Sequence, residues 1–213
     1  MRGSAARTLE RLKQERIIAV VRTANAECIP EVVAALTAGG IRCLEVTMTV
    51  PNAVDAIAEA CKGGGDLVIG AGTVLCQDAA EECIAAGAQF LVSPICAPAV
   101  MQLAHRRGTV IIPGALTPNE IWYAWNCGAD MVKVFPASRM GPAYIADVLA
   151  PLRDVLLLPT GGITDENAAE YLAAGAAAVC AGSWLIDSEA IRRGSFDVLE
   201  DKARRIVRAV SGI

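Results

Sequence analysis

Apolar residues come along this chain in short uninterrupted blocks, separated by Ala-rich stretches with polar residues at helical spacing. The Ala-rich stretches end in glycine, at Gly39, Gly64, Gly87, Gly108, Gly128 and Gly175. Glycine suits the left-handed position just past a helix end. These marks recur at about 20–25 residues, with a last interval about twice as long; one such unit is near the minimum for a strand, a helix and two short loops. The blocks predict eight strands: Ile17–Arg22, Cys43–Met48, Leu67–Gly72, Phe90–Ser93, Val110–Ile112, Met131–Phe135, Val155–Pro159 and Ala177–Ala181. Helices are expected between them, among them Pro51–Cys61, Asp78–Ala86, Pro118–Asn126 and Asp165–Ala174. Thr117 before Pro118 reads as an N-cap followed by proline at the first helical position. Thr164 and Asp165 before Glu166 read as another helix start. Leu9–Gln14 is expected to cover the bottom of the fold, and Phe196–Val210 to form a last amphipathic helix.

Strands that are apolar on both faces and alternate with helices imply a parallel sheet. Eight such units predict a (β/α)8 TIM barrel with an N-terminal and a C-terminal helix, one domain over residues 1–213. The alternative is an open doubly wound sheet, which favours a glycine-rich turn after its first strand. That turn is Arg22-Thr23-Ala24-Asn25, without glycine.

Composition narrows the chemistry. The chain has 213 residues, 54% hydrophobic but only 4% aromatic, so its core is aliphatic. A net charge of -4 without a basic stripe argues against nucleic acid as a partner. Mean hydropathy is high at +0.43. No uninterrupted apolar run reaches the roughly 18 residues of a membrane span, so no membrane is expected. The start, MRGSAARTLERLKQE, lacks the apolar segment of a secretory signal, and a cytoplasmic location is expected. His105 is the single histidine, which excludes a three-histidine zinc site and leaves any Ser-His-Asp triad dependent on it. Of the cysteines Cys28, Cys43, Cys61, Cys76, Cys83, Cys96, Cys127 and Cys180, no two are spaced CxxC. They read as reduced thiols acting as small hydrophobes, and no metal is expected.

In a barrel the active site lies at the C-terminal ends of the strands. Lys13, Lys62 and Lys202 sit in polar, helix-like surroundings, whereas Lys133 lies inside the strand Met131-Val132-Lys133-Val134-Phe135. Alternation puts Met131, Lys133 and Phe135 on one face. A lysine among apolar neighbours tends to shed its proton, and a neutral amine is the nucleophile that forms a Schiff base with a ketone. The other reading is a structural lysine paired with a carboxylate. Glu45 lies mid-strand in Cys43-Leu44-Glu45-Val46-Thr47-Met48. A carboxyl in apolar surroundings is suited to acid/base work near neutral pH, and a buried ion pair with Lys133 or Arg22 is compatible with that role. Arg22 ends the first strand, where it suits the carboxylate of a 2-keto acid; alone, it also reads as a surface arginine.

Two glycine loops follow adjacent strands: Pro159-Thr160-Gly161-Gly162-Ile163-Thr164 and Ala181-Gly182-Ser183-Trp184. Loops after the last two strands of a barrel commonly hold phosphate on backbone N–H groups. Gly70-Ala71-Gly72-Thr73 is expected to admit a ligand close to the backbone and to set a hydroxyl at the rim, and Ser93-Pro94 to form a wall.

The segments GIRCLEVTMTVP, GAGTVL, FLVSP, IPGALTPNE, DMVKVFPA, PTGGIT and AGSWL, in this order from about Ile17 to Leu185, resemble the 2-keto-3-deoxy-6-phosphogluconate (KDPG) and 4-hydroxy-2-oxoglutarate aldolase family. The resemblance implies a class I, Schiff-base aldolase on a (β/α)8 barrel that needs no cofactor, takes a 2-keto acid phosphate and assembles as a homotrimer. It makes Lys133 the Schiff-base lysine and Glu45 the acid/base. It gives Thr73 to the pyruvate site, with Thr47, Pro94 and Phe135 also lining it, and Thr160, Gly161, Gly162, Gly182 and Ser183 to the phosphate loops. Many members carry an arginine two residues after the LEVT threonine; this chain has Thr49 there. A subset has the arginine at the end of the first strand instead, which Arg22 matches. Val134 stands where Leu or Phe is usual. Relatives that cleave the galactonate epimer tend to lack the threonine of PTGG, so by this resemblance Thr160 favours the gluconate substrate, with a 2-dehydro-3-deoxy-6-phosphogalactonate aldolase as the alternative. Outside this reading stand a phosphosugar-barrel lyase or synthase related to thiamine-phosphate synthase, and a non-catalytic phosphosugar-binding barrel.

Overall fold

Each of the eight apolar blocks contains a strand in the computed structural model, which describes residues 2–63 and 66–212. The order is α1 (Arg2–Glu15), β1 (Ile17–Val21), α2 (Ile29–Ala38), β2 (Cys43–Thr47), α3 (Ala53–Lys62), β3 (Val68–Gly72), α4 (Gln77–Ala85), β4 (Phe90–Val92), α5 (Pro98–Arg107) and β5 (Val110–Ile112). Then follow β6 (Gly114–Ala115), α6 (Pro118–Asn126), β7 (Val132–Val134), α7 (Gly141–Leu149), β8 (Leu157–Pro159), α8 (Ala168–Ala173), β9 (Val179–Ala181), α9 (Ser188–Arg192) and α10 (Asp197–Ser211).

All strand pairs are parallel, as strands buried on both faces require. One sheet runs β5-β4-β3-β2-β1-β9 and the other β6-β7-β8. Local contacts link neighbouring strands of the two. The fifth block is β5 as read; Pro113 after it has no N–H to donate, a further short strand, β6, follows beyond the expected block, and Lys133 N donates to Pro113 O at 2.9 Å. Thr160, just past β8, bridges in parallel to Cys180 on β9.

The side chains divide by alternation. Leu44, Val46, Leu91, Ile111, Val132 and Val134 pack outward against helix residues such as Leu36, Ile57, Met101 and Ile121. Ile18, Cys43, Phe90, Val92, Ile112, Met131, Leu158 and Cys180 pack together on the inner face. Leu12 of α1 is fully buried in this inner cluster, so α1 closes its N-terminal end. Among the described residues no helix is long and apolar enough to cross a membrane.

The differences from expectation are local. The first helix extends well before Leu9, to Arg2. Strand ends are trimmed where the backbone leaves the ladder: Arg22 falls outside β1, and Val155 donates to Leu152 O at 3.2 Å in a turn before β8. The helix expected from Asp165 begins at Ala168. Thr164 closes a turn there, its Oγ1 accepting from Glu166 N at 3.2 Å while Asn167 Oδ1 accepts from Thr164 N at 3.0 Å. Thr117 caps α6 as read, with Glu120 returning the bond in a capping box. Gly87, Gly108, Gly128 and Gly175 are left-handed, but Gly39 is not. Gly40 takes that conformation, with φ 101, and Gly39 instead lets α2 approach α10, since a Cβ there would strike Ala203. The mark at Gly64 lies outside the described residues.

Candidate active site

Glu45 sits in β2, paired with Val20 of β1 and Gly70 of β3. Lys133 sits in β7, paired with Gly114 and Leu158. Alternation turns both inward, and the two strands face each other across the inner cluster. Lys133 Nζ lies 3.9 Å from Glu45 Oε1, with side-chain exposures of 7% and 1%. That separation is an ion pair but too long for a hydrogen bond. Neither carboxyl oxygen of Glu45 has a hydrogen-bond partner among the described residues. Burial therefore pushes the Glu45 carboxyl above the ordinary carboxylate range, against the opposing pull first of Lys133 and then of Arg22.

Glycine makes room for this pair. A Cβ on Gly72 would stand 2.7 Å from Glu45 Oε1, and one on Gly70 would enter the Phe90 ring. Gly70 thus seats an aromatic ring and Gly72 seats the carboxyl. Thr73, the next residue, is held left-handed at φ 60, a costly conformation for a β-branched side chain. Thr47 is fully buried, and its hydroxyl is 2.8 Å from that of Thr49, an exposed residue at the position of the missing arginine. Pro94 is half-buried, and its backbone lies so close to Gly114 that no Cβ fits there.

Phe135 is 43% exposed. Its ring centroid is 5.5 Å from Lys133 Nζ, so one aromatic face borders the amine on the open side. Arg22 is exposed at the end of β1, yet near enough to Glu45 to favour its ionised form.

Thr160 is buried, and its hydroxyl donates to Leu158 O at 3.3 Å. Its side chain is thus part of the inner wall beside Cys180, one step below the rim, rather than part of the exposed glycine turn. Gly161 and Gly162 follow, both left-handed at φ 97 and 72. A Cβ on Gly162 would sit 2.5 Å from Ser138 Cβ. After β9, Ser183 is exposed and the chain coils at once, Leu185 N and Ile186 N both donating to Gly182 O at 2.9 and 2.8 Å. The structure thus brings Lys133 beside Glu45 and Phe135, with Thr47 sharing the Gly72 neighbourhood of Glu45, and Thr160 and Cys180 close to the same pair.

Cys180 was not singled out in the sequence. It is fully buried on the inner wall, and burial with the nearby Glu45 pushes its thiol far up. Its place was readable, because it alternates with Ala178 in the last apolar block. No group of three or more His, Cys, Asp or Glu among the described residues could hold a metal ion.

These features define a parallel α/β protein built around a buried amine–carboxylate pair beneath glycine-rich loops. The chain belongs to the KDPG and KHG aldolase family, whose pattern it matches over residues 9–201. It is 38% identical over 202 residues to the 2-dehydro-3-deoxy-phosphogluconate aldolase of Treponema pallidum, covering 94% of this chain and 96% of that one. It is 37% identical over 174 residues to the KHG/KDPG aldolase of Escherichia coli K12, covering 81% and 82% of the two. A solved KDPG aldolase from Legionella pneumophila, with pyruvate captured as a covalent carbinolamine, superposes with a TM-score of 0.86 at 29% identity, over 93% of this chain and 97% of that one.

Proposed function

We propose that this chain is a class I aldolase, an aldehyde-lyase that cleaves 2-keto-3-deoxy-6-phosphogluconate to pyruvate and glyceraldehyde 3-phosphate. The observation that carries the reading is the buried Lys133 Nζ placed 3.9 Å from Glu45 Oε1. The family's relatives named as KDPG and KHG/KDPG aldolases, and the carbinolamine in the Legionella protein, support it.

In this reading the Lys133 amine, once it has given up its proton, attacks the C2 ketone to form a carbinolamine. Glu45 delivers the proton with which that hydroxyl leaves as water, giving the iminium. The Glu45 carboxylate then takes the proton of the C4 hydroxyl, and the C3–C4 bond breaks. Its electron pair passes to the iminium, leaving an enamine, and glyceraldehyde 3-phosphate departs. Protonation at C3 and hydrolysis release pyruvate and restore Lys133. The iminium is the electron sink, so the reaction as written uses neither metal nor organic cofactor. Burial that raises Glu45 suits a group that must both give and take protons near neutral pH.

Arg22, with Thr73, would hold the carboxylate; Thr47, Pro94 and Phe135 would line the pyruvate site, and Thr160 the inner wall. Gly161, Gly162, Gly182 and Ser183 would hold the phosphate on left-handed and coiled backbone. The same centre would accept 4-hydroxy-2-oxoglutarate, which lacks the phosphate. The contacts joining β5 to β6 and β8 to β9 support a closed (β/α)8 barrel, one domain over residues 1–213. The eight unpaired cysteines fit a reducing cytoplasm. Exposed Leu75, Ile95, Trp122 and Tyr123 fit a surface covered in a homotrimer.

Borohydride reduction in the presence of pyruvate should add one pyruvate-derived mass, located at Lys133 by peptide mapping. A lactate-dehydrogenase-coupled assay should detect pyruvate from KDPG, and its rates on the galactonate epimer and on 4-hydroxy-2-oxoglutarate fix the substrate range. No trapping and no pyruvate would overturn the reading in favour of a binding barrel.

A further inference from the structure

The two glycine loops are joined from behind by α10. Arg205 makes a two-pronged ion pair with Asp165, its Nε and NH2 at 2.7 and 2.6 Å from Oδ2. Asp165 follows directly on the Gly161-Gly162 loop, and its side chain is only 13% exposed. The same guanidinium lies 5.7 Å from the centre of the Trp184 ring. Trp184 follows Ser183 in the other loop. Lys202, one turn earlier on α10, lies 5.8 Å from that ring. Its Nζ also donates to Asp187 Oδ2 at 2.8 Å, and Asp187 Oδ1 accepts from Glu189 N and Ala190 N just after the loop.

One arginine therefore touches both loops: by charge the one after β8, by cation–π contact the one after β9. The Thr160–Cys180 bridge ties the feet of the two loops, and Asn167 Nδ2 donates to Gly162 O at 2.9 Å; beyond these ties, the spacing of the loops further out depends on what α10 holds. The other oxygen of Asp165, Oδ1, is buried without a hydrogen-bond partner among the described residues. The Arg205 bond is thus the main polar restraint on that carboxyl.

We propose that Arg205 is a positioning residue that sets the distance between the two glycine loops, and so tunes affinity for the phosphate of the substrate without touching it. This rests on the reading of those loops as the phosphate site. Its signature is a split between substrates. Phosphate reaches across both loops, whereas the keto acid end sits on Lys133, Glu45 and the inner wall.

The test measures kcat and KM for KDPG and for 4-hydroxy-2-oxoglutarate, together with inhibition by inorganic phosphate. It uses the unmodified protein, Arg205→Gln, Asp165→Asn and the double variant. Arg205→Gln should raise the KM for KDPG and the phosphate inhibition constant by about three- to fivefold, the upper part of the range for a partly exposed ion pair. The values of kcat on both substrates and KM for 4-hydroxy-2-oxoglutarate should stay within about twofold, inside ordinary surface-substitution effects. Asp165→Asn should move the same constants in the same direction, and the double variant should be no worse than either single. Arg205→Lys should recover part of the loss.

Equal losses on both substrates would mean general destabilisation and would overturn the proposal. So would additive effects, or tighter KDPG binding in Asp165→Asn, since that would be a through-space charge effect alone. An unmodified protein that shows no preference for KDPG and no inhibition by phosphate removes the phosphate reading itself. A protein that shows both, with an Arg205→Gln variant that behaves identically, removes only the role of Arg205.

Discussion

The amine–carboxylate centre and the glycine rim lie a few residues apart along the strands but are built on opposite principles. At the centre the proposed chemistry belongs to side chains. Lys133 and Glu45 are held in regular strands, almost without solvent, where apolar walls make each charge matter. At the rim the proposed contacts are made by backbone, and Gly161 and Gly162 take conformations other residues avoid. The centre is set by register, because a slip of one residue would turn both groups into the helix layer. The rim is set by support from outside, as the contacts of Arg205 and Lys202 with Trp184 illustrate. If the contrast is right, damage at the centre stops the chemistry for every substrate, while damage at the rim changes which substrates bind.

The largest effect is expected at Lys133. Lys133→Ala should abolish turnover of KDPG and of 4-hydroxy-2-oxoglutarate alike, and abolish borohydride trapping with pyruvate. Circular dichroism should be unchanged, because the strand keeps its pairing. Trapping that survives would place the Schiff base on another amine.

Glu45→Gln should come next, with turnover down by roughly 10²–10⁴, the range for a positioned acid/base. Stopped-flow measurement should show slower Schiff-base formation as well, since the carbinolamine must lose water. The loss should again be common to both substrates, and near-normal turnover would take Glu45 out of the proton path.

Arg22→Ala is expected to weaken pyruvate binding by about 1.5–3 kcal/mol, as for a charge-assisted hydrogen bond. Phosphorylated and unphosphorylated keto acids should suffer equally, because they share the carboxylate. Unchanged pyruvate affinity would give the carboxylate to Thr73 and the backbone. A substrate-selective change is expected only at the loops themselves. Gly162→Ala, which forces a Cβ against Ser138 at φ 72, should weaken KDPG by about 1–2 kcal/mol. It should spare 4-hydroxy-2-oxoglutarate, and equal losses would erase the distinction between centre and rim.

The same contrast explains what could be read from the sequence. A lysine or glutamate inside an apolar strand stands out because water is absent around it, so Lys133 and Glu45 were legible with their facing inferred from alternation alone. The repeat of strand and helix was legible too, since each unit must bury its own apolar block. The roles of glycines were not. Gly72 makes room for a carboxyl that lies on another strand, and Gly39 for a helix far along the chain, and no local pattern carries a long-range steric need. Strand ends and the late start of α8 were missed for a related reason. Thr164 closes a turn with Asn167 and Glu166, and that local bonding outcompetes the helix start its composition suggested. The ties of α10 to Trp184 and Asp165 were invisible, because they join residues about 20 to 40 positions apart through contacts of moderate strength.

The smallest effect links the two regions. Arg22 is exposed at the rim, yet its charge is among those that favour the ionised form of Glu45, after that of Lys133. Burial pushes Glu45 up, and Arg22 pulls it partly back. Removing that cation should therefore let Glu45 rise further. Turnover that needs the Glu45 carboxylate falls as pH drops through its titration, so the acidic limb of kcat/KM against pH, which reports the free protein, should move to higher pH in Arg22→Gln. The displacement should be small, because the charge is exposed and screened by solvent, and greatest at low ionic strength. Salt supplies a second handle, because counter-ions reach Arg22 but not the interior. Raising the ionic strength should carry the limb of the unmodified protein toward that of the variant, while the variant itself moves little. A limb that shifts to lower pH, or one that stays fixed in both proteins at low salt, would mean that the rim arginine does not act on the buried carboxyl, and that the centre is electrostatically closed to the rim.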